Sequence, residues 1–286
     1  MKVSGFTFVR DAVKFGYPAA ESIKSMLPLC DEVIVAVGNS TDGTLGLIKN
    51  IGSPKIKIIE TIWDENLRVG GRILAQQTDV ALSQCSYEWC LYLQADEVLH
   101  EKFYPDIRIA MEKNIDDPRV HGLLFDYVHF YGSYWTVGTG RQWYRREIRI
   151  VRNGIGVHSF RDAQGFRIDG KKLQVKHSGA EIYHYGWAKP PEQMTAKQKN
   201  LDRFWHADDT IERKYSSDEF LIFGNLDETA RFGGTHPEVM TDKAGKMNTE
   251  IGQLYGQIRK RKKFLRWLEE DILHAHIGEY KNYKLL

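Results

Sequence analysis

Residues 33–44 read Val33-Ile34-Val35-Ala36-Val37-Gly38-Asn39-Ser40-Thr41-Asp42-Gly43-Thr44. Five consecutive apolar residues, rich in valine, are the pattern of a strand covered on both faces. The Ser-Thr-Asp-Gly-Thr turn that follows ends the strand and offers side-chain oxygens to the free amides of a helix N-terminus. A strand, a turn and a helix start in direct succession are half of a βαβ unit.

The first hundred residues repeat that alternation. Strands are predicted at 3–9, 56–62 and 89–93. Helices are predicted at 18–29, where Ala19, Ile23, Met26 and Leu27 fall near helical spacing, at 42–50, and at 71–83. Such alternation builds a largely parallel sheet, and open sheets of this class bind ligands outside the carboxyl ends of their strands. After a helix at 101–114 the texture changes. Residues 120–187 are rich in Gly, Tyr, Trp, His and Arg, with strand patterns at 123–130, 145–151 and 181–185. Helix returns at 188–205, 216–250 reads as polar loop, and a further helix is predicted near 262–276. The expected fold class is α/β, a mixed, mainly parallel sheet flanked by helices. A main domain would span 1–215, and a loop and helical extension over 216–286 would pack on it.

Composition excludes several classes. The chain has 286 residues, 42% of them hydrophobic, which is ample for a core. No stretch approaches the roughly 20 apolar residues of a membrane span. The N-terminus enters a strand pattern at once, without the regions of a signal peptide, so a soluble, cytoplasmic protein is expected. Cys30, Cys85 and Cys90 contain no CxxC spacing, which argues against a disulfide framework and a structural zinc site. A net charge of +2 argues against a nucleic-acid partner, although residues 251–286 hold eight Lys/Arg against four Asp/Glu. Five of those cations run from Arg259 to Lys263 and precede Phe264, Leu265, Trp267 and Leu268. A basic cluster on an amphipathic helix over 259–273 suits peripheral contact with the inner face of an anionic membrane. It suits better still an ordinary helix docking its Leu and Trp side on the main domain.

The chemistry concentrates at Gln94-Ala95-Asp96-Glu97, directly after the strand at 89–93. Two carboxylates at the carboxyl end of such a strand supply oxygen ligands for Mg2+ or Mn2+; alternatively they cap the helix at 101–114. Four blocks, spread over 3–205, place this spot in context. They are Phe8-Val9-Arg10-Asp11; the stretch 33–44 with its Asn39-Ser40-Thr41-Asp42-Gly43-Thr44; Gln77 to Glu97; and Arg149 to Arg152 with Val157-His158, Tyr183-His184-Tyr185 and Lys199-Asn200. In this order they resemble the glycosyltransferases of family 2, with the GT-A fold, and among them the lipopolysaccharide-type branch.

The resemblance implies a sugar transferase that takes a nucleoside-diphosphate sugar and acts on a hydroxyl of a glycan or glycolipid, with Mn2+ or Mg2+ and with inversion. It implies that Asp96 and His184 hold the metal. Arg10, Asn39, Asp42, Arg72, Gln94, Asp96, Arg149 and Lys199 would face the nucleotide sugar, with Arg152 a further candidate for phosphate. Trp143 and Tyr144 would stack on the acceptor, or serve the core. The chain departs from the pattern at three places. Gln94 replaces the first Asp of the metal motif, and Val37-Gly38 stands where an Asp usually contacts the base or ribose. Ser159 occupies the place of the carboxylate that would serve as base. Asp162 is the nearest replacement, with Glu147 and Glu181 as rivals. The same departures would fit a nucleotide-sugar-binding or scaffold protein of weakened activity. Loops at 132–140 and 224–245 are candidate lids.

Overall fold

The computed structural model describes residues 1–189, 191–206, 208–215, 229–246 and 280–286. The helix predicted near 262–276, the basic cluster before it, and residues 216–228 and 247–250 of the predicted loop lie outside the described residues.

The N-terminal half alternates as its pattern requires. β1 (Val3–Val9), α1 (Ala19–Met26), β2 (Glu32–Gly38), α2 (Thr44–Lys49), β3 (Ile56–Thr61), α3 (Arg72–Leu82) and β4 (Trp89–Tyr92) follow one another. Then come β5 (Glu97–Leu99), α4 (Tyr104–Asn114), β6 (Gly122–Tyr131), β7 (Thr136–Gly138) and β8 (Arg146–Arg152). A small antiparallel sheet of β9 (His158–Phe160), β10 (Gly165–Ile168) and β11 (Lys171–Lys172) precedes the long β12 (Gln174–Trp187). The remaining described elements are α5 (Pro191–Asp202), α6 (Asp208–Lys214), β13 (Thr229–Arg231), α7 (Thr241–Lys246) and β14 (Lys284–Leu285).

The main sheet runs β13-β7-β6-β8-β4-β1-β2-β3, and β12 joins it through β6. Strands β3, β2, β1 and β4 are mutually parallel, as are β6 and β12, while β8 runs against both of its neighbours. The architecture is α/β, a mixed, mainly parallel sheet flanked by helices.

Period-two alternation explains the apolar runs. Val33, Val35 and Val37 of β2 point to one face, where they join Ile23 and Met26 of α1 and Ile107 and Met111 of α4. Ile34 and Ala36 point to the other, with Phe6, Tyr92 and Ala81 and Leu82 of α3. Both faces are covered, so alternation to polar residues is not needed. Burying each such side chain contributes about 1.5–3 kcal/mol.

Several elements exceed or replace the sequence expectation. The strand expected at 181–185 is β12, fourteen residues long, carried through two register shifts against β6. The loop expected at 132–140 contains β7, paired with β6 and β13. The residues after Asp96, open to a capping role, form β5 against β12 instead. The helix expected over 188–205 begins at Pro191 and ends at Asp202. Cys30, Cys85 and Cys90 are free and buried. No helix among the described residues is long and apolar enough to cross a membrane.

Candidate functional site

A cavity of about 550 Å3 opens beyond the carboxyl ends of β1 and β4. Asp96 lines it where the chain leaves β4, and Arg10 lines it at the exit of β1. The β1 exit is held by the 40–44 turn. Thr44 Oγ1 accepts from the Ala12 amide at 2.8 Å, Ser40 Oγ from the Asp11 amide at 2.9 Å, and Asp42 from the Lys14 amide at 2.7 Å. Gly43 closes this turn at φ 87°, in the left-handed region that favours glycine. Burial favours protonation of Asp42, but its hydrogen bonds from Thr44 and Lys14 outweigh this and lower its pKa.

Asp96 is buried at 9% exposure and is surrounded by basic groups. Lys197 Nζ, from α5, donates to Asp96 Oδ2 at 2.9 Å and to the Gly186 carbonyl at 3.0 Å. His184 Nε2 lies 3.5 Å from the same carboxylate oxygen. Burial favours the neutral acid, yet the Lys197 ammonium and His184 hold Asp96 well below the usual carboxylate range. β12 must pass close behind this group. A Cβ on Gly186 would lie 2.3 Å from Asp96 Oδ2, 2.4 Å from Lys197 Nζ and 2.7 Å from His184 Nε2. Only a residue without a side chain lets the three functional groups converge here.

The β6–β12 register seats His184 opposite His129, and their Nδ1 atoms approach to 2.9 Å. His129 Nε2 donates to the Tyr144 carbonyl at 2.7 Å. Burial drives the His129 pKa down to about 3, so the ring is neutral. The β5–β12 register places Glu97 opposite His184 in the other direction along the sheet. Glu97 is fully buried and accepts from Arg149 Nε and Nη2, both at 2.7 Å, from Tyr127 Oη at 2.8 Å, and from the Gln94 amide at 3.0 Å.

Asp162 lines the same cavity from the loop between β9 and β10. Its neighbours Arg161 and Ala163 hold φ at 58° and 62°, a conformation rare for non-glycine residues and found mainly where surroundings enforce it. Gly71, itself at φ 68°, packs so closely that a Cβ there would lie 2.9 Å from Asp162 Cα. Burial raises the pKa of Asp162.

Of the residues singled out from the sequence, Arg10, Gln94, Asp96, Asp162, His184 and Tyr144 line the cavity. Arg10 lies over the Trp63 ring at 5.0 Å and bonds Glu65 at 2.9 Å, and Gln94 Nε2 donates to the Ala163 carbonyl at 3.3 Å. The others are placed elsewhere, each for a physical reason. Arg149 has no exposed surface and is committed to Glu97, so it does not reach a diphosphate in the cavity. Lys199 is exposed on the far side of α5, 5.9 Å from the Tyr215 ring. Asp42 is spent in its turn, and Asn39 Oδ1 accepts from the Trp63 amide at 3.2 Å. Arg72 is exposed at the start of α3. Trp143 stacks on His129 at 5.0 Å, behind the cavity wall. Arg152 is buried and bonds the Val120, Ile115 and Asn114 carbonyls. Glu147 is buried against Asn282, with a pKa pushed up to about 8 by burial, and Glu181 is half-buried on β12 outside the cavity.

Sequence reasoning missed Lys197 and His129. A lysine was expected from this helix, but helical phase, which selects residue 197, follows only from where the helix begins. His129 becomes meaningful only through its strand register.

No protein-family model matches the chain. Over 136 residues it is 29% identical to the lipopolysaccharide core biosynthesis glycosyltransferase LpsC of Rhizobium meliloti (strain 1021). The match covers 46% of this chain and 44% of the relative, so it spans less than half the length of that curated protein. The chain is similar to GT-A glycosyltransferases. Among solved structures, TarS of S. aureus aligns with 70% of this chain and 39% of its own, at 18% identity and a TM-score of 0.43. A 1–349 fragment of TarS in complex with UDP-GlcNAc aligns over 46% of this chain and 36% of its own, at 22% identity and TM-score 0.36. Glucosyl-3-phosphoglycerate synthase from Mycobacterium tuberculosis, in complex with Mn2+, UDP and phosphoglyceric acid, aligns over 45% of this chain and 43% of its own, at 16% identity and TM-score 0.31.

Proposed function

We propose that the chain is a glycosyltransferase that moves a sugar from a nucleoside-diphosphate donor to a hydroxyl of a glycan or glycolipid, with inversion. The observation that carries this reading is the meeting of Asp96, His184, Lys197 and Asp162 at one cavity beyond the carboxyl ends of parallel strands. The similarity to a lipopolysaccharide core glycosyltransferase supports a surface-glycan acceptor.

Among the described residues no three His, Cys, Asp or Glu side chains form a metal cage. Mg2+ and Mn2+ do not require one, since such ions are commonly held by one or two carboxylates together with substrate phosphates. Asp96 and His184 fit that arrangement: a carboxylate has about four lone-pair sites, and the single Lys197 contact leaves others open. When bound, the ion would neutralise charge on the leaving diphosphate.

The chain's own groups account for the rest. The bond between the anomeric carbon and the diphosphate oxygen breaks with its electron pair going to that oxygen. The acceptor oxygen bonds to the same carbon, and its proton passes to the Asp162 carboxylate. Lys197 supplies a fixed positive charge beside the departing diphosphate, and Tyr17 and Trp187 rings, 5.2 and 4.8 Å from Nζ, confine it there. Burial raises the pKa of Asp162, which makes its carboxylate a stronger base than an exposed one.

The test is thermal stability against UDP, GDP and CDP, each with Mn2+ and with EDTA. A ligand at 100 times its dissociation constant adds about 2.7 kcal/mol. A stabilisation that requires Mn2+ is the expected result, and no stabilisation by any nucleotide would overturn the donor site. A binding protein of the same fold is the second reading, favoured by Gln94 and Ser159 standing where carboxylates are expected. Donor binding with no transfer or donor hydrolysis under any acceptor tried would favour it.

A further inference from the structure

The hydrogen-bond directions at the two histidines constrain each other. A backbone carbonyl only accepts, so His129 Nε2, 2.7 Å from the Tyr144 oxygen, carries the proton. His129 is 3% exposed, and no carboxylate forms a hydrogen bond with its ring, so the ring is neutral and its Nδ1 is an acceptor. The 2.9 Å contact then requires a proton on His184 Nδ1. With Nδ1 so committed, Nε2 is the nitrogen that His184 turns toward Asp96 Oδ2, 3.5 Å away. We propose that His129 is a positioning residue that holds the Nδ1–H of His184 and so turns its Nε2, the nitrogen left to ligate an ion, toward the Asp96 carboxylate.

The surrounding packing supports a fixed ring. His129 is stacked by Trp143 at 5.0 Å and by Tyr127 at 5.3 Å, and Tyr144 meets it edge-on at 4.5 Å. Parallel pairing of β6 and β12 sets the two histidines side by side, and a slip of one residue would turn one ring to the opposite face. Ligating histidines generally depend on such a partner at the other ring nitrogen, whose loss lowers metal affinity about 10–100-fold. This inference rests on the donor-site reading and adds to it how the imidazole ligand is prepared before any ion arrives.

The experiment compares His129→Phe with His129→Gln. Phenylalanine keeps the stacking and removes both hydrogen bonds. Glutamine restores both, since its amide donates to the Tyr144 carbonyl and its oxygen accepts from His184. Imidazole 15N shifts of the metal-free protein are expected to show His184 protonated at Nδ1 in the wild type and in His129→Gln, and a mixture of tautomers in His129→Phe. Mn2+ titration in the presence of UDP is expected to weaken about 10–100-fold in His129→Phe and by only a few-fold in His129→Gln. Equal tautomer populations and equal Mn2+ affinity in all three proteins would overturn the inference while leaving the donor site standing. Failure of the wild type to bind UDP with Mn2+ would overturn both. Melting temperatures of the two variants separate either outcome from a general loss of packing.

Discussion

Asp96 and Glu97 are neighbours in the chain and both are buried against a cation, yet they belong to different kinds of structure. Glu97 meets Arg149 through two bonds of 2.7 Å, with Tyr127 and the Gln94 amide completing its shell, and neither member of the pair has exposed surface. Asp96 meets Lys197 through one bond at the edge of a cavity, with His184 alongside. The saturated pair is architecture: it anchors β5 to β8 and has no capacity left for a ligand. The unsaturated pair keeps lone pairs and an ammonium proton uncommitted. Saturation of hydrogen bonds, rather than charge or burial, separates the scaffold from the site.

Four measurements sharpen or break that contrast. Removing the sealed cation should have the largest effect on folding. Arg149→Met leaves Glu97 buried without its partner and is expected to cost about 3–5 kcal/mol in urea unfolding. A loss below 1 kcal/mol would mean that water reaches this pair and that the contrast is false. Asp162→Asn is expected to lower kcat by about a hundredfold or more, with a normal melting temperature. The pH profile adds a sign: the base must be deprotonated, so wild-type kcat/KM falls as pH drops through a pKa raised by burial. That acid limb should vanish in Asp162→Asn.

Gly186→Ala tests the open pair directly. The nearest atoms its methyl would meet are the ends of Asp96, Lys197 and His184, side chains that can move apart. Mn2+-dependent UDP binding is expected to weaken about tenfold, while stability changes little. A large loss of stability with unchanged binding would make this group part of the scaffold. The smallest effect is expected at Glu147. Its folded pKa, about 8, stands above the ordinary 4.5, so its neutral form stabilises the fold below the ordinary value and that contribution is lost as pH rises through about 8. Glu147→Gln, which cannot ionise, should match the wild type at low pH and melt a few degrees above it at alkaline pH.

The contrast also explains what could be read before any coordinates. Apolar runs and capping turns specify local structure, so β1, β2, β3, α3 and β4 appear where their patterns place them. Asp96 stood out by its place after a strand, whereas His184 was named only through the family resemblance; both line the cavity. Lys199 was expected at the diphosphate, but two residues along a helix turn a side chain by about 200°, so 197 and 199 face opposite ways. Arg149 carries the right charge for phosphate, and only the pairing of β8 with its neighbours commits it to Glu97. The His129–His184 contact depends on strand register over an interval of 55 residues, which composition and periodicity do not encode.

Gly38 has a consequence for which nucleotides the cavity would take. It ends β2 at the position where the family resemblance calls for a carboxylate toward the base or ribose, and here the space is filled: a Cβ would lie 2.4 Å from Trp63 Nε1. The buried indole, with Phe8 tilted at 54° beside it and the Arg10 guanidinium lying over its ring at 5.0 Å, makes this side of the cavity a wall of packed rings topped by a planar cation. A base seated there would rest its face on the Arg10 guanidinium rather than be read along its edge, and every base offers a similar face. Such a wall gives grip without spelling: UDP, CDP and GDP should bind within a narrow range of one another, and the identity of the sugar should weigh more than the letter that carries it.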